Sequence, residues 1–232
     1  MRKHSSGYDA LHLTNTLGRT KTAFRPRRRD RVDVFTCGPS TYKEQHLGNY
    51  RTFLYEDLLQ RFLRASGFGV RRVINFTDIE DKAIAEARRR GITLSQLTEP
   101  VARRFVEDCG RLGIELPPDI PRASECTNEA IELIEGLIRR GHVYRHEGNV
   151  YYDPLTFEGF GKLYGLDMSR WPRTKRRFHR DTYPGKRWNR GDFILWHETP
   201  SDTPGAKQTP LGTGRPAWNN QEEAMILSTL GT

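Results

Sequence analysis

Cys37, Gly38, Ser40, Tyr42, His46, Gly48 and Asn49 fall within one short stretch, Thr36-Cys37-Gly38-Pro39-Ser40-Thr41-Tyr42-Lys43-Glu44-Gln45-His46-Leu47-Gly48-Asn49. These residue types suit the handling of an anion. His46 offers an imidazole donor, and Gly48 lets a ligand approach the backbone with no Cβ in the way. Cys37, nine residues upstream of the histidine, is a candidate thiolate for the same crevice. The elements around them are those a phosphate site needs. Val32, Val34 and Phe35 read as a short apolar strand, Cys37-Gly38-Pro39 as the turn that follows it. His46-Leu47-Gly48-Asn49 then opens a helix with Tyr50, Phe53, Leu54, Leu58 and Phe62 as its apolar side chains. Strand, loop and helix N-terminus in that order bring free backbone N–H groups and the positive end of the helix dipole to where a nucleotide phosphate would lie.

The rest of the chain alternates strand and helix patterns, which predicts an α/β fold with a parallel sheet. Gly67-Phe68-Gly69 ends the first helix and Val70–Asn75 reads as a second strand. Asp78-Ile79-Glu80-Asp81 carries acidic residues into the first turn of the next helix, where they complement its dipole. Further helices are expected over Thr98–Leu112 and Thr127–Arg140. In the second of these Thr127 is the expected N-cap, Gly141 the C′ stop, and Ile131, Ile134 and Ile138 the inward stripe. Val143-Tyr144-Arg145 and Asn149-Val150-Tyr151-Tyr152 flank His146-Glu147-Gly148 as a β-hairpin. Asp153 to Arg190, rich in Gly, Pro and Arg, reads as an inserted loop region. Asp192–His197 reads as another strand, Thr199–Gly214 as a Pro/Gly/Thr linker, and Glu222–Leu230 as a short helix.

A chain of 232 residues with 35% hydrophobic and 29% charged residues can bury a sizeable core beneath a polar surface. No apolar run reaches membrane-spanning length and the N-terminus has no apolar signal segment, so no membrane partner is expected. Three widely spaced cysteines, Cys37, Cys109 and Cys126, make an odd count with no CxxC pair. That argues against a disulfide framework and for a reducing cytoplasm. The net charge of +9 is clustered. Arg25-Pro26-Arg27-Arg28-Arg29-Asp30-Arg31 precedes the first core strand. The Arg170–Arg190 stretch sets basic residues among Trp171, Phe178, Tyr183 and Trp188. Basic residues mixed with aromatics can grip a phosphate backbone and stack on bases, and an Arg-rich solvated surface is the other reading of the same composition.

Several blocks resemble the cysteinyl-tRNA synthetases, a family of class I aminoacyl-tRNA synthetases. Thr36–Asn49 resembles that family's strand-C-G-P-T-x-Y leading into H-I-G-H or H-I-G-N. Leu13-Thr14-Asn15-Thr16-Leu17-Gly18-Arg19-Thr20-Lys21 matches N-T-L-T-R-x-K. Arg51-Thr52-Phe53 matches R-T-F, and Asn75-Phe76-Thr77-Asp78-Ile79-Glu80-Asp81-Lys82 matches N-I-T-D-I-D-D-K. Phe193-Ile194-Leu195-Trp196 and Gly214-Arg215-Pro216-Ala217-Trp218 match F-V-L-W and G-R-P-G-W. Order and approximate spacing hold from about residue 11 onward. The resemblance implies a Rossmann-type nucleotide-binding domain with a connective insertion. Residues 1–30 form an N-terminal extension and first strand, 31–114 the first half of the catalytic domain, 115–190 the insertion, and 191–232 a truncated return to the catalytic domain.

Class I synthetases activate an amino acid by attack of its carboxylate on the α-phosphate of ATP, a step governed by positioning and electrostatic stabilisation. The resemblance makes His46 and Asn49 the catalytic pair, and His46, Gly48 and Asn49 the ATP contacts. It sets Cys37, Gly38, Ser40, Tyr42, Thr77, Asp78 and Trp218 in the substrate pocket. The family selects cysteine with zinc, which prefers thiolates and deprotonates them. Cys37 stands at the first ligand position. At the second, Glu222 replaces cysteine, within Trp218-Asn219-Asn220-Gln221-Glu222 where the family has W-H-I-E-C. Cys37 and Glu222 are thus the candidate metal ligands. Two donors do not close a zinc site, so zinc is not expected in this chain alone. The family's other two ligands, its K-M-S-K-S loop and its anticodon-binding domain lie beyond Thr232, which implies a truncated, divergent member.

Three functions are compatible with these readings. One is a cytoplasmic synthetase-like enzyme that binds ATP with Mg2+ and an amino acid and acts on tRNA, its missing parts supplied by a complementing polypeptide or dispensed with. The second is a non-catalytic paralogue that binds RNA or protein. The third is a ligase that adenylates an amino acid and transfers it to a small amine.

Overall fold

A computed structural model describes residues 11–170 and 191–231. The part that positions the candidate site is a parallel pair of strands, β3 (Arg31–Thr36) and β4 (Gly69–Ile74), joined by helix α1 (Leu47–Ala65). Their register runs from Arg31 opposite Gly69 to Thr36 opposite Ile74. Side chains alternate across the pleat. Val32 and Val34 pack with Leu59 and Leu63 of α1, whereas Phe35 packs on the opposite face with Ile79, Ile84, Ala224 and Met225. Both faces are covered, as a parallel pair requires. Beyond β4 the ladder continues as single parallel bridges, Ser40 with Thr77 and Phe76 with Arg122. An antiparallel hairpin, β1 (His12–Asn15) and β2 (Thr20–Ala23), precedes this unit.

After β4 come α2 (Asp81–Arg90) and α3 (Leu94–Arg111). Gly91 closes α2 in the left-handed conformation at φ 65°. Helix α3 starts four residues before the expected Thr98. Thr93 and Gln96 form a capping box there, with Gln96 N–H donating to Thr93 Oγ1 at 3.1 Å and Thr93 N–H to Gln96 Oε1 at 2.9 Å. Tyr50 and Phe53 of α1, Ile74 of β4, Phe76, and Ala102, Phe105 and Cys109 of α3 make one core cluster. Phe105 lies at its centre, 4.9 Å from Phe53 and 5.8 Å from Phe76 between ring centroids.

Helix α4 (Thr127–Arg139) ends at the expected Gly141, which has φ 76°. Its N-cap is Cys126 rather than Thr127; the Thr127 hydroxyl bonds back to the Ser124 carbonyl instead. Ile134 is fully buried and Ile131 half-buried, but Ile138 is exposed, and Leu137 takes its place against the core. The expected hairpin is present as β5 (Val143–His146) and β6 (Asn149–Tyr152), turning through Glu147 and Gly148, both at positive φ. A Cβ on Gly148 would lie 1.8 Å from Glu198 Oε2.

The chain returns as β7 (Phe193–Glu198). The 199–214 segment is not a linker. It holds β8 (Lys207–Thr209) and the start of β9 (Gly212–Pro216), whose turn is fixed by Thr209 Oγ1 donating to the Gly212 carbonyl at 2.9 Å. The five strands form one antiparallel sheet in the order β5-β6-β7-β9-β8, so strands on either side of residue 190 share it. Ile134, Val150, Leu195, Trp196 and Leu211 pack beneath it. Helix α5 (Trp218–Leu230) begins four residues before the expected Glu222, and Asn220 Nδ2 holds it to the Leu195 carbonyl at 2.5 Å. The aromatic-basic sequence 171–190 lies outside the described residues. No helix among the described residues is long and apolar enough to cross a membrane.

Candidate nucleotide-binding site

β3 delivers the chain at its C-terminal end into the 37–46 loop, and two close contacts with the end of β4 fix that loop. The Gly38 N–H donates to Asn75 Oδ1 at 2.9 Å, and a Cβ at Gly38 would sit 1.6 Å from the Asn75 carbonyl oxygen. Only glycine fits that approach. Further along, the Thr77 N–H donates to the Pro39 carbonyl at 3.1 Å and the Thr41 N–H to the Thr77 carbonyl at 3.0 Å. Ser40 Oγ bonds Glu80, and Gln45 Nε2 spans the loop to the Ser40 and Lys43 carbonyls, each at 3.0 Å. Asn75, Glu80 and Gln45 were not marked by the sequence. The signal for Asn75 was its place at the head of the Asn75–Lys82 block, directly after the apolar strand; it is fully buried.

The loop ends at His46, the N-cap of α1. Its Nδ1 accepts from the Gly48 N–H at 3.1 Å, and Asn49 Oδ1 accepts from the His46 N–H at 3.2 Å, completing a reciprocal capping box. Both residues therefore spend their acceptor atoms on the helix terminus. What remains is donor capacity: an Nδ1 that accepts leaves Nε2 to carry the ring proton, and Asn49 Nδ2 has no partner among the described residues. Gly48 serves this arrangement. A Cβ there would meet His46 Cε1 at 2.9 Å and Nδ1 at 3.0 Å, so it is the imidazole that needs the space.

A cleft of about 380 Å³ opens over these groups, and Cys37, Gly38, Ser40, Tyr42, His46 and Asn49 line it together with Lys43 and Thr52. Tyr42 rests on the Ala83–Ala87–Leu97 cluster, with Lys43 Nζ 5.4 Å and Lys82 Nζ 6.0 Å from its ring centroid. Six of the expected residues thus share one cavity. Others do not line it. Thr77 is buried and accepts from Asn75 Nδ2 at 3.3 Å. Asp78 turns to Ser124, accepting from its N–H at 3.0 Å and its hydroxyl at 2.6 Å. Trp218 is half exposed at the first turn of α5.

Cys37 and Glu222 do meet, 185 positions apart in sequence. The thiol donates to Glu222 Oε1 at 3.0 Å. Burial, then the bond to Glu222 and its charge, push the Cys37 thiol up to about 12, and burial raises the Glu222 carboxyl as well. Such a thiol stays protonated at neutral pH. No third histidine, cysteine or carboxylate joins the pair among the described residues. Two donors do not make a closed zinc site. Gln221 beside Glu222 is fully buried, and neither of its side-chain polar atoms has a partner among the described residues.

The family model for the catalytic domain of class I (C) tRNA synthetases matches residues 23–232. The chain belongs to that family. As a class I (C) synthetase catalytic domain it is 40% identical over 222 residues to the cysteine–tRNA ligase of Parvibaculum lavamentivorans. It is 38% identical over 222 residues to that of Rhodospirillum rubrum and 37% over 221 residues to that of Carboxydothermus hydrogenoformans. Each alignment covers 95% of this chain and 46–47% of the relative. The chain spans about half the length of the curated relatives it matches. The α/β class expected from the alternating pattern is the class of this synthetase catalytic domain.

Proposed function

We propose that the Cys37–Asn49 cleft binds the phosphates of ATP with Mg2+ and that the protein activates an amino acid as its adenylate for transfer to tRNA. The observation that carries this reading is the capping box. His46 and Asn49 use their acceptors on the helix terminus and keep Nε2–H and Nδ2–H as donors at the positive end of α1. Donors fixed in this way stabilise charge developing on phosphate oxygens without reorganising. Lys43 adds a positive charge on the same wall. Cysteine is the amino acid named for the relatives, and it is the one the family membership favours here. Ser40, Tyr42 and Cys37 would border it; Thr77, Asp78 and Trp218 support the surrounding elements. The proposed setting is the cytoplasm.

A second reading has its own observation. Cys37 is bonded to Glu222 with no third histidine, cysteine or carboxylate beside them among the described residues, which makes poor provision for selecting a thiol substrate through a metal. A ligase that adenylates a different amino acid and transfers it to a small amine accommodates that pair. So does a paralogue that binds RNA or protein without catalysis. Amino-acid-dependent ATP–pyrophosphate exchange separates them. Exchange with cysteine supports the first reading, and exchange with another amino acid supports the ligase. ATP binding without exchange under any amino acid, with or without the complementing polypeptide, removes both enzymatic readings.

A further inference from the structure

Asp78, Glu80 and Asp81 stand close together at the start of α2, and the fold sends their carboxylates three ways. Asp78 accepts from Ser124, and Asp81 pairs with Arg215 of β9. Glu80 alone of the three reaches the 37–46 loop, where its carboxylate accepts from the Ser40 hydroxyl. We propose that Glu80 is a positioning residue: it engages the Ser40 proton, so that the Ser40 oxygen is left to accept from the ammonium group of the amino acid. This rests on the cleft being the amino-acid activation site proposed above.

Glu80 is the N-cap of α2. Its carbonyl accepts from the Ile84 N–H at 3.0 Å, yet its side chain makes no bond to the helix terminus. A capping side chain ordinarily spends its oxygen on the free N–H groups of the first turn. Glu80 spends it on the cleft wall instead. Neither partner depends on the other for its place. Asp81 ties α2 to Arg215, whose side chain is 7% exposed, and in the last turn Arg88 Nη2 donates to Thr203 Oγ1 at 2.8 Å. Ser40 is held by its bridge to Thr77 and by Gln45 Nε2, which donates to its carbonyl at 3.0 Å. A hydroxyl has one proton and two lone pairs. With the proton on Glu80, Ser40 offers a ligand in the cleft lone pairs alone, enriched by the charge of the carboxylate. The other polar groups there have the opposite character or are already engaged. His46 and Asn49 keep donors, Lys43 is a cation, and the Pro39, Ser40 and Lys43 carbonyls accept from Thr77 and Gln45. Cys37 is bonded to Glu222 in the same way, but sulfur accepts weakly. An amino acid with its carboxylate toward the donors must still place its ammonium group. Ser40 is the oxygen acceptor in this cleft with a negative charge behind it. Glu80 does not itself line the cleft, so it acts through Ser40.

The experiment is an equilibrium titration of the full chain with cysteinyl-sulfamoyl adenosine, a stable mimic of the adenylate, and with its desamino counterpart, in which mercaptopropionyl replaces cysteinyl. MgATP binding and thermal melting are measured in parallel. The two mimics share side chain and nucleoside, so their affinity ratio reads the ammonium contact. Wild type should prefer the cysteinyl mimic by about tenfold or more, as expected for a hydrogen bond to a charged group. In Glu80→Gln that ratio should shrink severalfold while MgATP affinity holds. Ser40→Ala should narrow it at least as far, and Glu80→Gln added to Ser40→Ala should narrow it no further, because Glu80 acts through that hydroxyl. Ser40→Thr retains the hydroxyl and should retain the ratio. An unchanged ratio in Glu80→Gln would overturn the proposal; a purely structural Glu80 gives that result, weakening both mimics alike. A wild type that binds MgATP without telling the mimics apart would overturn it as well and leave the nucleotide reading standing. No binding of MgATP or of either mimic by wild type would remove the activation reading and this proposal with it.

Discussion

His46 carries two duties that substitution can separate. Its Nδ1 caps α1 and its ring lines the cleft, so His46→Ala should remove a cap worth about 1 kcal/mol as well as the proposed phosphate donor. Asparagine is a good N-cap but lacks the imidazole's reach. His46→Asn should therefore restore the melting temperature while MgATP affinity stays at the alanine level. Recovery of both together would show that His46 acts on the nucleotide only through the helix. At Cys37 the sign of the pH effect follows from its raised value. The unfolded thiol ionises near its ordinary value of about 8.5, whereas the folded one holds its proton up to about 12. Its contribution to stability is complete below the first value and is lost as pH rises toward the second. Cys109 is pushed up to about 12 by burial too, so Cys37→Ser should make the alkaline loss of stability shallower without abolishing it. Glu222→Gln removes the facing carboxylate, and iodoacetamide should then alkylate Cys37 severalfold faster at mildly alkaline pH. Unchanged alkylation would separate the thiol from Glu222.

Among the elements, β4 is tied to α1 by a buried ion pair. Arg72 Nη2 lies 2.9 Å from Glu56 Oε2, and Arg72 Nη1 donates to the Glu115 carbonyl at 3.2 Å. The arginine side chain is 1% exposed and the glutamate 15%. Burial raises the Glu56 carboxyl although Arg72 pulls it down, so an unpaired Glu56 would be costly. Arg72→Ala should destabilise the fold by about 3–5 kcal/mol in urea unfolding, and Arg72→Met/Glu56→Leu by much less. Equal losses would mean that the packing of the side chains, rather than the charge left behind, sets the cost. The β3–α1–β4 unit was legible because Val32, Val34 and Phe35 alternate and glycines at 67 and 69 end the helix. The β8–β9 hairpin was not. Lys207-Gln208-Thr209 is a polar edge strand with no apolar alternation, held by β9 and a threonine-fixed turn. The early start of α3 was written in Thr93-Leu94-Ser95-Gln96, the capping-box spacing. At the site, the loop residues were readable from type and spacing. The Cys37–Glu222 bond and the turning of Asp78 to Ser124 depend on tertiary approach, which periodicity does not encode.

Across the whole molecule, the C-terminal end of β3 opens into a cleft beside the capped N-terminus of α1. The central claim is that His46 and Asn49 hold nucleotide phosphate, and an equilibrium MgATP titration tests it most directly. Wild-type chain should bind saturably, and His46→Ala/Asn49→Ala should lose about a hundredfold or more in affinity, as expected when two charge-assisted donors worth about 1.5–3 kcal/mol each are removed. Equal MgATP affinity in wild type and His46→Ala/Asn49→Ala, or no binding by wild type at all, would contradict the account.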